Sequence, residues 1–485
     1  MMQKNLKGGG GYNMTEENSL RYASHNKLFN QEELMKKKVA VIGSGPLAHY
    51  VLSAFCGLGI GRILIFEDEK DSKEGFLFFG RKPSNNSEAL EQIISRVNSD
   101  ITVRRPIGGL DTLVQKPDLI IDATNNPESK AVALKFAIDN KLPFISASSS
   151  SFSSELAVYN PHLTKITSQS EADIFFMKKY SSSSQGGATS GVIAGMIAEE
   201  SRKFCIPSPS DNFNIQLPIY YNLLNNTRFG HENQEILPSL YEKKKILMIG
   251  AGSIGTFAGI GIAESAGKRG NSLTIIDFDD IEPHNLNRQV LYFDKVGKRK
   301  AEAFRESLSQ INPHLNVIAK YAKFGLEPTK DERKRGISFF SEDDLSKSGH
   351  DLIIGCVDND ETRKVINELA VKYKIPYIDG SSGLNVENNL KQYYTKSWIN
   401  IYAPQKTPCM HCQRSGLLGR AGQGCEIHPD LIMPNMVAGS IEAAEAAMIL
   451  SGSKVCNGFF VYISKEKERV GLVEFINKKC PLGCN

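Results

Sequence analysis

The 485-residue sequence lacks any run of about 18 apolar residues, the length that a helix needs to cross a membrane. Its first segment, 1–20, has no apolar core, so we expect a flexible start rather than a secretory signal. The chain also has little net charge, +4 at pH 7, and no arginine-rich block. The charge balance therefore gives no reason to expect a nucleic-acid partner. We predict a cytoplasmic protein with neither a membrane nor a nucleic acid as its partner.

The remaining composition is that of a globular protein, with 41% hydrophobic and 23% charged residues. The length suggests about three domains, and two large ones are equally consistent with it. Among the nine cysteines, four form two close pairs near the end of the sequence. That arrangement favours metal or thiol chemistry over a disulfide framework.

The strongest pattern lies in residues 243–288, where an apolar run at 246–249 is short enough for a buried strand. A glycine turn, a helical run of small residues and a second apolar run ending at Asp277 follow. Glycines let the backbone approach a phosphate at the positive end of a helix, and the carboxylate can accept a ribose hydroxyl. The pattern predicts a nucleotide site, and a turn that only packs helix on sheet is the alternative. The glycines stand in GxGxxG spacing at Gly250, Gly252 and Gly255.

An internal repeat organises the chain. The segment that begins KKKVAVIGSGPLA at residue 36 matches KKKILMIGAGSIG at residue 243, and DLIIDATNN at 118 matches DLIIGCVDN at 351. The helical stretches from Gly191 and from Met436 are also alike. A repeat this long indicates a duplicated domain.

Alternating strands and helices predict α/β architecture, with two tandem Rossmann-like, doubly wound and mostly parallel domains. We expect a flexible segment at 1–20, a first domain at 21–206, a linker at 207–240 and a second domain at 241–485. Residues 21–33 read as a helical lead-in. The serine-rich runs 148–154 and 181–184 are expected to be loops.

The two halves differ where charge matters. The second half has Arg288, Lys300 and Asp358, whereas the first has Asn125 at the position of Asp358 and Ala48 at that of the third glycine. A site that uses ATP needs cations against the phosphates and a carboxylate for magnesium. We therefore predict that the second half holds the active site and that the first half has kept the fold and lost the nucleotide chemistry.

The motifs GAGSIG, IIDFDDIEPHNLNRQVLY, VGKRKAEA and CVDNDETR resemble the ThiF/MoeB and ubiquitin-activating-enzyme superfamily of adenylyltransferases. The resemblance is strong over 243–452 and weak over 21–204. A degenerate half beside a competent half resembles the layout of eukaryotic ubiquitin-activating enzymes.

The resemblance implies roles for individual residues. The three glycines would line the ATP site and Asp277 would hold the ribose, with Asp279 beside it. Phosphate contacts would come from Asn287, Arg288 and Lys300, while Asp358 would bind magnesium and support adenylation. In the family an arginine from the partner half often reaches the site. The corresponding position here is Ser24, and Arg21 is a candidate substitute.

The paired cysteines suit a tetrahedral, structural zinc site, since four thiolates close its coordination shell. They are Cys409, Cys412, Cys480 and Cys484. Cys425 lies in a glycine-rich loop before a helix, and a catalytic thiol and an unreactive one both fit it. His428 stands near it and His411 lies between the first pair.

These observations predict an enzyme that uses ATP, Mg2+ and Zn2+. It would adenylate the C-terminal carboxylate of a small protein or peptide, release pyrophosphate, and pass the acyl group to a thiol or another nucleophile. The substrate would be a ubiquitin-like or sulfur-carrier protein. The first alternative is a peptide-modifying enzyme of ribosomal peptide antibiotic biosynthesis, and the second is a non-catalytic nucleotide- or peptide-binding scaffold. An NAD-dependent dehydrogenase would leave the cations and cysteines unexplained. A homodimer is left open.

Overall fold

The computed structural model describes residues 16–67, 87–175, 187–214, 218–223, 225, 228–229, 241–413, 429–456, 458–474 and 480–484. These residues form two α/β units, each built on one sheet. Over the same residues, no helix combines the length and apolar character required to span a bilayer. The predicted fold class, two tandem Rossmann-like units, is confirmed.

The first sheet has seven strands in the order β3-β2-β1-β4-β5-β6-β7. The first five in that order are parallel, and β6 and β7 are antiparallel to their neighbours. The strands are β1 (Lys38–Ile42), β2 (Arg62–Phe66), β3 (Thr102–Arg104), β4 (Leu119–Asp122), β5 (Phe144–Ser149), β6 (Ser153–Tyr159) and β7 (Ile219–Asn222).

The second sheet has nine strands in the order β11-β10-β9-β8-β12-β13-β14-β15-β16. Its central part repeats the strand order of the first sheet, with the parallel strands followed by an antiparallel hairpin. The strands are β8 (Lys245–Ile249), β9 (Ser272–Asp277), β10 (Asn316–Phe324), β11 (Ser338–Phe340), β12 (Leu352–Gly355), β13 (Tyr377–Val386), β14 (Tyr393–Tyr402), β15 (Gly458–Ile463) and β16 (Val470–Glu474).

Helices cover the sheets. The first unit has α1 (Glu16–Arg21), α2 (Gln31–Lys36), α3 (Pro46–Leu58), α4 (Ser87–Val97), α5 (Pro127–Asn140), α6 (Gln169–Asp173) and α7 (Gly187–Cys205). The second unit has α8 (Ser253–Ser265), α9 (Lys300–Ile311), α10 (Lys330–Lys334), α11 (Glu342–Ser348), α12 (Asp360–Tyr373), α13 (Met410–Gln413) and α14 (Ile432–Leu450).

Four helices, α3 and α7 from the first unit and α8 and α14 from the second, pack between the two sheets. Small residues allow this close approach. A Cβ added at Gly195 of α7 would lie 2.7 Å from Val437 Cγ2, and one at Gly439 of α14 would lie 2.3 Å from Ile254 O. The apolar residues of these helices belong to one continuous core. The two repeats therefore meet through equivalent helices.

Buried ion pairs add to this contact. Arg228 pairs with Glu445 at 2.7 Å, and Arg469 pairs with Glu200 at 2.9 Å, all with side chains no more than 3% exposed. Each pair joins residues of the two units. Because removing one partner leaves an uncompensated buried charge, breaking such a pair is costly even where the intact pair adds little.

Three local predictions need correction. Ile219–Asn222, within the stretch expected to be a linker, forms the edge strand β7. It is held as a strand by its hydrogen bonds to β6, which the local sequence pattern does not reveal. Most of the serine run 148–154 belongs to β5 and β6, and only residues 150–152 connect them. The lead-in is broken into α1, a 3-10 turn and α2, and α1 begins inside the segment expected to be flexible. Residues 1–15 and the serine run 181–184 lie outside the described residues.

Candidate active site

A cavity of about 900 Å³ lies at the carboxyl ends of β8, β9 and β12 in the second unit. In open α/β sheets this edge is where ligands bind. Most of the residues named from the sequence meet here. The lining includes Gly250, Gly252, Asp277, Asp279, Arg288, Lys300 and Asp358.

The glycine turn joins β8 to α8. Gly250 has φ +99, a conformation that a side chain disfavours, and a Cβ there would lie 2.4 Å from Cys356 O. Gly252 caps α8 and is open on the cavity side, where the nearest atom to an added Cβ is Gln289 Nε2 at 3.8 Å. Gly255 packs against Gly250 O instead of lining the cavity. The start of a 13-residue helix thus faces the cavity, which suits a phosphate.

Asp277 fixes this turn. Its Oδ2 accepts from the Ala251 amide at 2.7 Å, and its Oδ1 accepts from the Asp279 amide at 2.8 Å. Burial raises the pKa of Asp277 to about 6, against the opposing charge of Lys300. The carboxylate is therefore placed to hold the turn and to accept a ribose hydroxyl at neutral pH.

Nucleotide binding should depend on the ionised form of Asp277. As the pH falls through about 6, Asp277 takes up a proton. We therefore expect the Kd for ATP, measured by calorimetry, to rise about tenfold per unit below that pH. Because Asp277 ionises at a higher pH in the folded state than in the unfolded chain, the free energy of unfolding should fall as the pH rises from about 4 to about 6. In Asp277→Asn this component should vanish, and an identical pH profile in the variant would contradict the assignment.

Both cations that were named from the sequence line the cavity. Lys300, the first residue of α9, places its Nζ 2.8 Å from Asp279 Oδ2. Burial alone would lower the pKa of Lys300, but the carboxylates of Asp277 and Asp279 outweigh it and raise the pKa. Arg288 is 7% exposed, and its Nε lies 3.1 Å from Asp430 Oδ2. Both residues are charged and held, as the binding of phosphates requires.

Asp358 follows β12 and is exposed at the cavity, where its Oδ1 accepts from Asn359 Nδ2 at 3.4 Å. Its counterpart in the first unit, Asn125, is engaged instead. Asn125 donates from Nδ2 to Ser149 O at 2.7 Å, and its Oδ1 accepts from the Ser149 amide at 3.1 Å. The second repeat thus has an exposed carboxylate at this position, and the first repeat has an amide that is hydrogen-bonded to the backbone of Ser149.

Besides Gly255, two further predicted residues do not line the cavity. Asn287 is fully buried and lies behind Arg288, because its Nδ2 donates to Ser24 Oγ at 2.9 Å and its Oδ1 accepts from Arg288 at 2.8 Å. Arg21 donates from Nη2 to Val97 O at 3.0 Å and does not line the cavity. The first unit therefore contributes a hydroxyl beside the site, at the position where the family resemblance suggested an arginine.

Sequence reasoning missed one wall of the cavity. This wall comes from β13, β14 and the start of α14, and it includes Ser381, Ser382, Lys396, Asp430 and Asn435. Ser381 and Ser382 could have been found from the repeat, since they follow the part of β13 that pairs in parallel with β12, and neighbouring parallel strands end at one edge. Asp430 carries no such signal, because only the fold brings the start of α14 to Arg288.

The two cysteine pairs meet. All four Sγ atoms lie within 4.8 Å of one another, with Cys409–Cys480 at 3.6 Å and Cys412–Cys484 at 4.0 Å. Tetrahedral zinc with Zn–S bonds of about 2.3 Å places sulfur atoms about 3.8 Å apart, so this donor set fits zinc. His411 is not part of the group, and none of the four thiols lines the cavity.

The remaining described cysteines are poor nucleophiles. Burial raises the pKa of Cys56 and of Cys205 to about 12, and it raises that of Cys456. Cys356 donates to Glu442 Oε2 at 3.3 Å, and burial together with that carboxylate raises its pKa well above the ordinary value. A thiol acceptor would have to be a different residue. Cys425 and His428 lie outside the described residues.

Comparison with known proteins agrees with the repeat. The model of the ThiF family matches residues 18–239 and, a second time, residues 220–482. Together the two matches span nearly all of the chain.

Individual related proteins match less than half of this chain in sequence. The molybdopterin-synthase adenylyltransferase of Escherichia coli (strain K12) is 30% identical over 229 residues, 46% of this chain and 78% of that protein. The adenylyltransferase and sulfurtransferase UBA4 of Yarrowia lipolytica is 32% identical over 169 residues, 35% of this chain and 36% of that protein. A solved structure of E. coli MccB with ATP covers 50% of this chain and 68% of that chain at 22% identity, with a TM-score of 0.38.

Proposed function

The chain belongs to the ThiF family, and from this premise we propose that its second half adenylates the C-terminal carboxylate of a small protein or peptide. A carboxylate oxygen attacks the α-phosphorus of ATP, and the bond from that phosphorus to the bridging oxygen of the β-phosphate breaks. Acyl-adenylate and pyrophosphate form, and a thiol or another nucleophile then takes the acyl group and releases AMP. We place the active domain at 241–485 and the degenerate domain at 21–206.

The observation that carries this proposal is the meeting of opposite charges at one sheet edge. The start of α8, Arg288 and Lys300 suit the phosphates, and the exposed carboxylate of Asp358 suits a hard cation. Magnesium held there would neutralise charge that develops on the pyrophosphate. Positioning and charge stabilisation are what adenylation needs from a protein. A dehydrogenase would need neither the metal carboxylate nor two phosphate cations.

The names of relatives support the substrate class. The E. coli relative is named as the adenylyltransferase of molybdopterin synthase, and this favours a protein over a small-molecule carboxylate. A ribosomally made peptide is the alternative substrate. The fit of the four thiols supports a structural zinc site distant from the chemistry.

ATP–pyrophosphate exchange tests the reaction. The full chain is mixed with candidate small proteins and peptides, each also prepared with its C-terminal carboxylate converted to an amide. We expect exchange with one free carboxylate partner and none with its amide. Lys300→Ala should lower the rate about 100-fold or more, since it removes a charge that stabilises the transition state.

The matched control is Lys298→Ala. Lys298 lies two residues before Lys300 but is 55% exposed and pairs with Glu306 at 3.4 Å, so its loss should leave exchange unchanged. Exchange that is indifferent to the amide, or equal losses in the two lysine variants, would refute the proposed reaction. ATP binding with no exchange for any partner would favour the binding scaffold.

A further inference from the structure

Arg288 is held on its inner side by three groups. Its Nη1 donates to His284 O at 3.1 Å and to Asn287 Oδ1 at 2.8 Å, while its Nε faces Asp430 Oδ2 at 3.1 Å. No described residue accepts from its Nη2. The guanidinium is planar, so fixing Nε and Nη1 also fixes the direction of the remaining nitrogen.

Asp430 is itself oriented by the start of α14. Its Oδ1 accepts from the Leu431 amide at 2.9 Å and from Asn435 Nδ2 at 2.9 Å. Asn435 Oδ1 in turn accepts from Ser382 Oγ of β13 at 2.7 Å. Each carboxylate oxygen of Asp430 thus has a different task, with Oδ1 anchored to the scaffold and Oδ2 turned to Arg288.

The pair lies in a protected environment. The side chain of Asp430 is 14% exposed and that of Arg288 is 8% exposed, and both residues line the cavity. A charge pair with little solvent around it has a defined geometry, unlike the exposed pairs of the surface. Asp430 thus limits the freedom of the long arginine side chain before any ligand arrives.

We propose that Asp430 is a positioning residue, which presets the guanidinium of Arg288 for the phosphates of ATP. The inference rests on the proposed function, because it gives Arg288 its role in the transition state. Preorganisation of this kind lowers the barrier without a contact between Asp430 and the reacting atoms. A series of two hydrogen bonds and one ion pair, Ser382–Asn435–Asp430–Arg288, also connects β13 with the phosphate end of the cavity.

A double-mutant cycle tests the proposal. Asp430→Ala and Asp430→Asn are made in the wild type and in Arg288→Ala, and kcat and KM for ATP are measured by pyrophosphate exchange. We expect Asp430→Ala to lower kcat about 10- to 100-fold, as the loss of an orienting group does. In the Arg288→Ala background it should cost no more than about threefold, since residues that act through one another are not additive. Asp430→Asn removes the negative charge that faces Nε but keeps the size of the side chain, so it should fall in between.

Controls separate the outcomes. Asp294→Asn changes a carboxylate that is 46% exposed and pairs with Lys295, so it should leave kcat unchanged. If Asp430→Ala does not fold, Ser382→Ala serves instead. It removes the hydrogen bond from Ser382 to Asn435 and should lower kcat by a smaller factor. Equal losses with and without Arg288, or a tighter ATP Kd with an unchanged rate, would overturn the positioning role. If the wild type binds ATP without exchange, the proposed function fails, and the same cycle on the Kd for ATP still tests Asp430.

Discussion

Replacing Asp358 by alanine should lower pyrophosphate exchange by about 10³-fold or to the background, with no loss of stability. The loss follows because an exposed carboxylate at this edge is the candidate ligand of magnesium, whose charge neutralisation the reaction needs. Stability should hold because the Asp358 side chain is exposed and accepts a long hydrogen bond, 3.4 Å, from the neighbouring Asn359. Calorimetry of ATP binding with and without Mg2+ provides a second measurement. The gain in affinity on adding Mg2+ should disappear in the variant.

Asn125→Ala is the matched control, since Asn125 occupies the same position in the first repeat. It loses two hydrogen bonds with the Ser149 backbone. The free energy of unfolding should fall by about 1–3 kcal/mol, while exchange per folded molecule stays unchanged. Asp358→Ala should therefore lose exchange and keep its stability, whereas Asn125→Ala should lose stability and keep its exchange. Loss of exchange in Asn125→Ala with Asp358→Ala active would place the chemistry in the first half.

Removing the metal from the zinc site that we propose at the cysteine cluster should have the largest effect on stability. The cluster ties residues 480–484 to α13 and the residue before it, and its thiols pack against the core that includes Tyr377 and Tyr402. Structural zinc contributes on the order of 10 kcal/mol in small domains. A loss of half that amount would lower the Tm by roughly 5–10 °C in a cooperative unit of this size. We expect one zinc per chain by elemental analysis and a drop of this size in Cys412→Ser.

A chelator gives the internal control for the cluster. It should lower the Tm of the wild type to that of Cys412→Ser and should not change the variant further, because both treatments remove the same ion. A chelator that lowers both proteins equally, or a wild type without bound zinc, would show that the thiols do not form a zinc site.

The repeat made most of the fold predictable from the sequence. Strand, glycine turn, helix and terminal acid are local patterns, and aligning 118–152 with 351–385 transfers them between halves. The prediction was wrong at β7 and at the serine run, because an edge strand and a hairpin of small polar residues owe their form to pairing partners and show little local pattern. The fold class was readable, while several element ends were not.

The site was predictable where its residues follow strand ends. Asp277 and Asp358 do so, and Arg288 and Lys300 belong to motifs with a known order. Asn287 matched a motif and yet is buried beneath Arg288, since its burial depends on the packing of the 3-10 turn Pro283–Asn287 against the first unit. Asp430 could not be found, because its role exists only once the start of α14 meets that turn.

The packing of α7 on α14 has a consequence for how the protein can change over generations. Where two identical subunits associate through a two-fold axis, every substitution in a contact helix occurs on both sides at once, and both active sites experience it. Fusion of the two copies removes that constraint. The buried Arg202 of α7 pairs with Glu199 and Asp211, whereas α14 contains no arginine or lysine, so the two copies already differ in their buried charges. Selection can thus preserve the active site in one half while the other half accumulates substitutions, provided that these keep its packing against the active half.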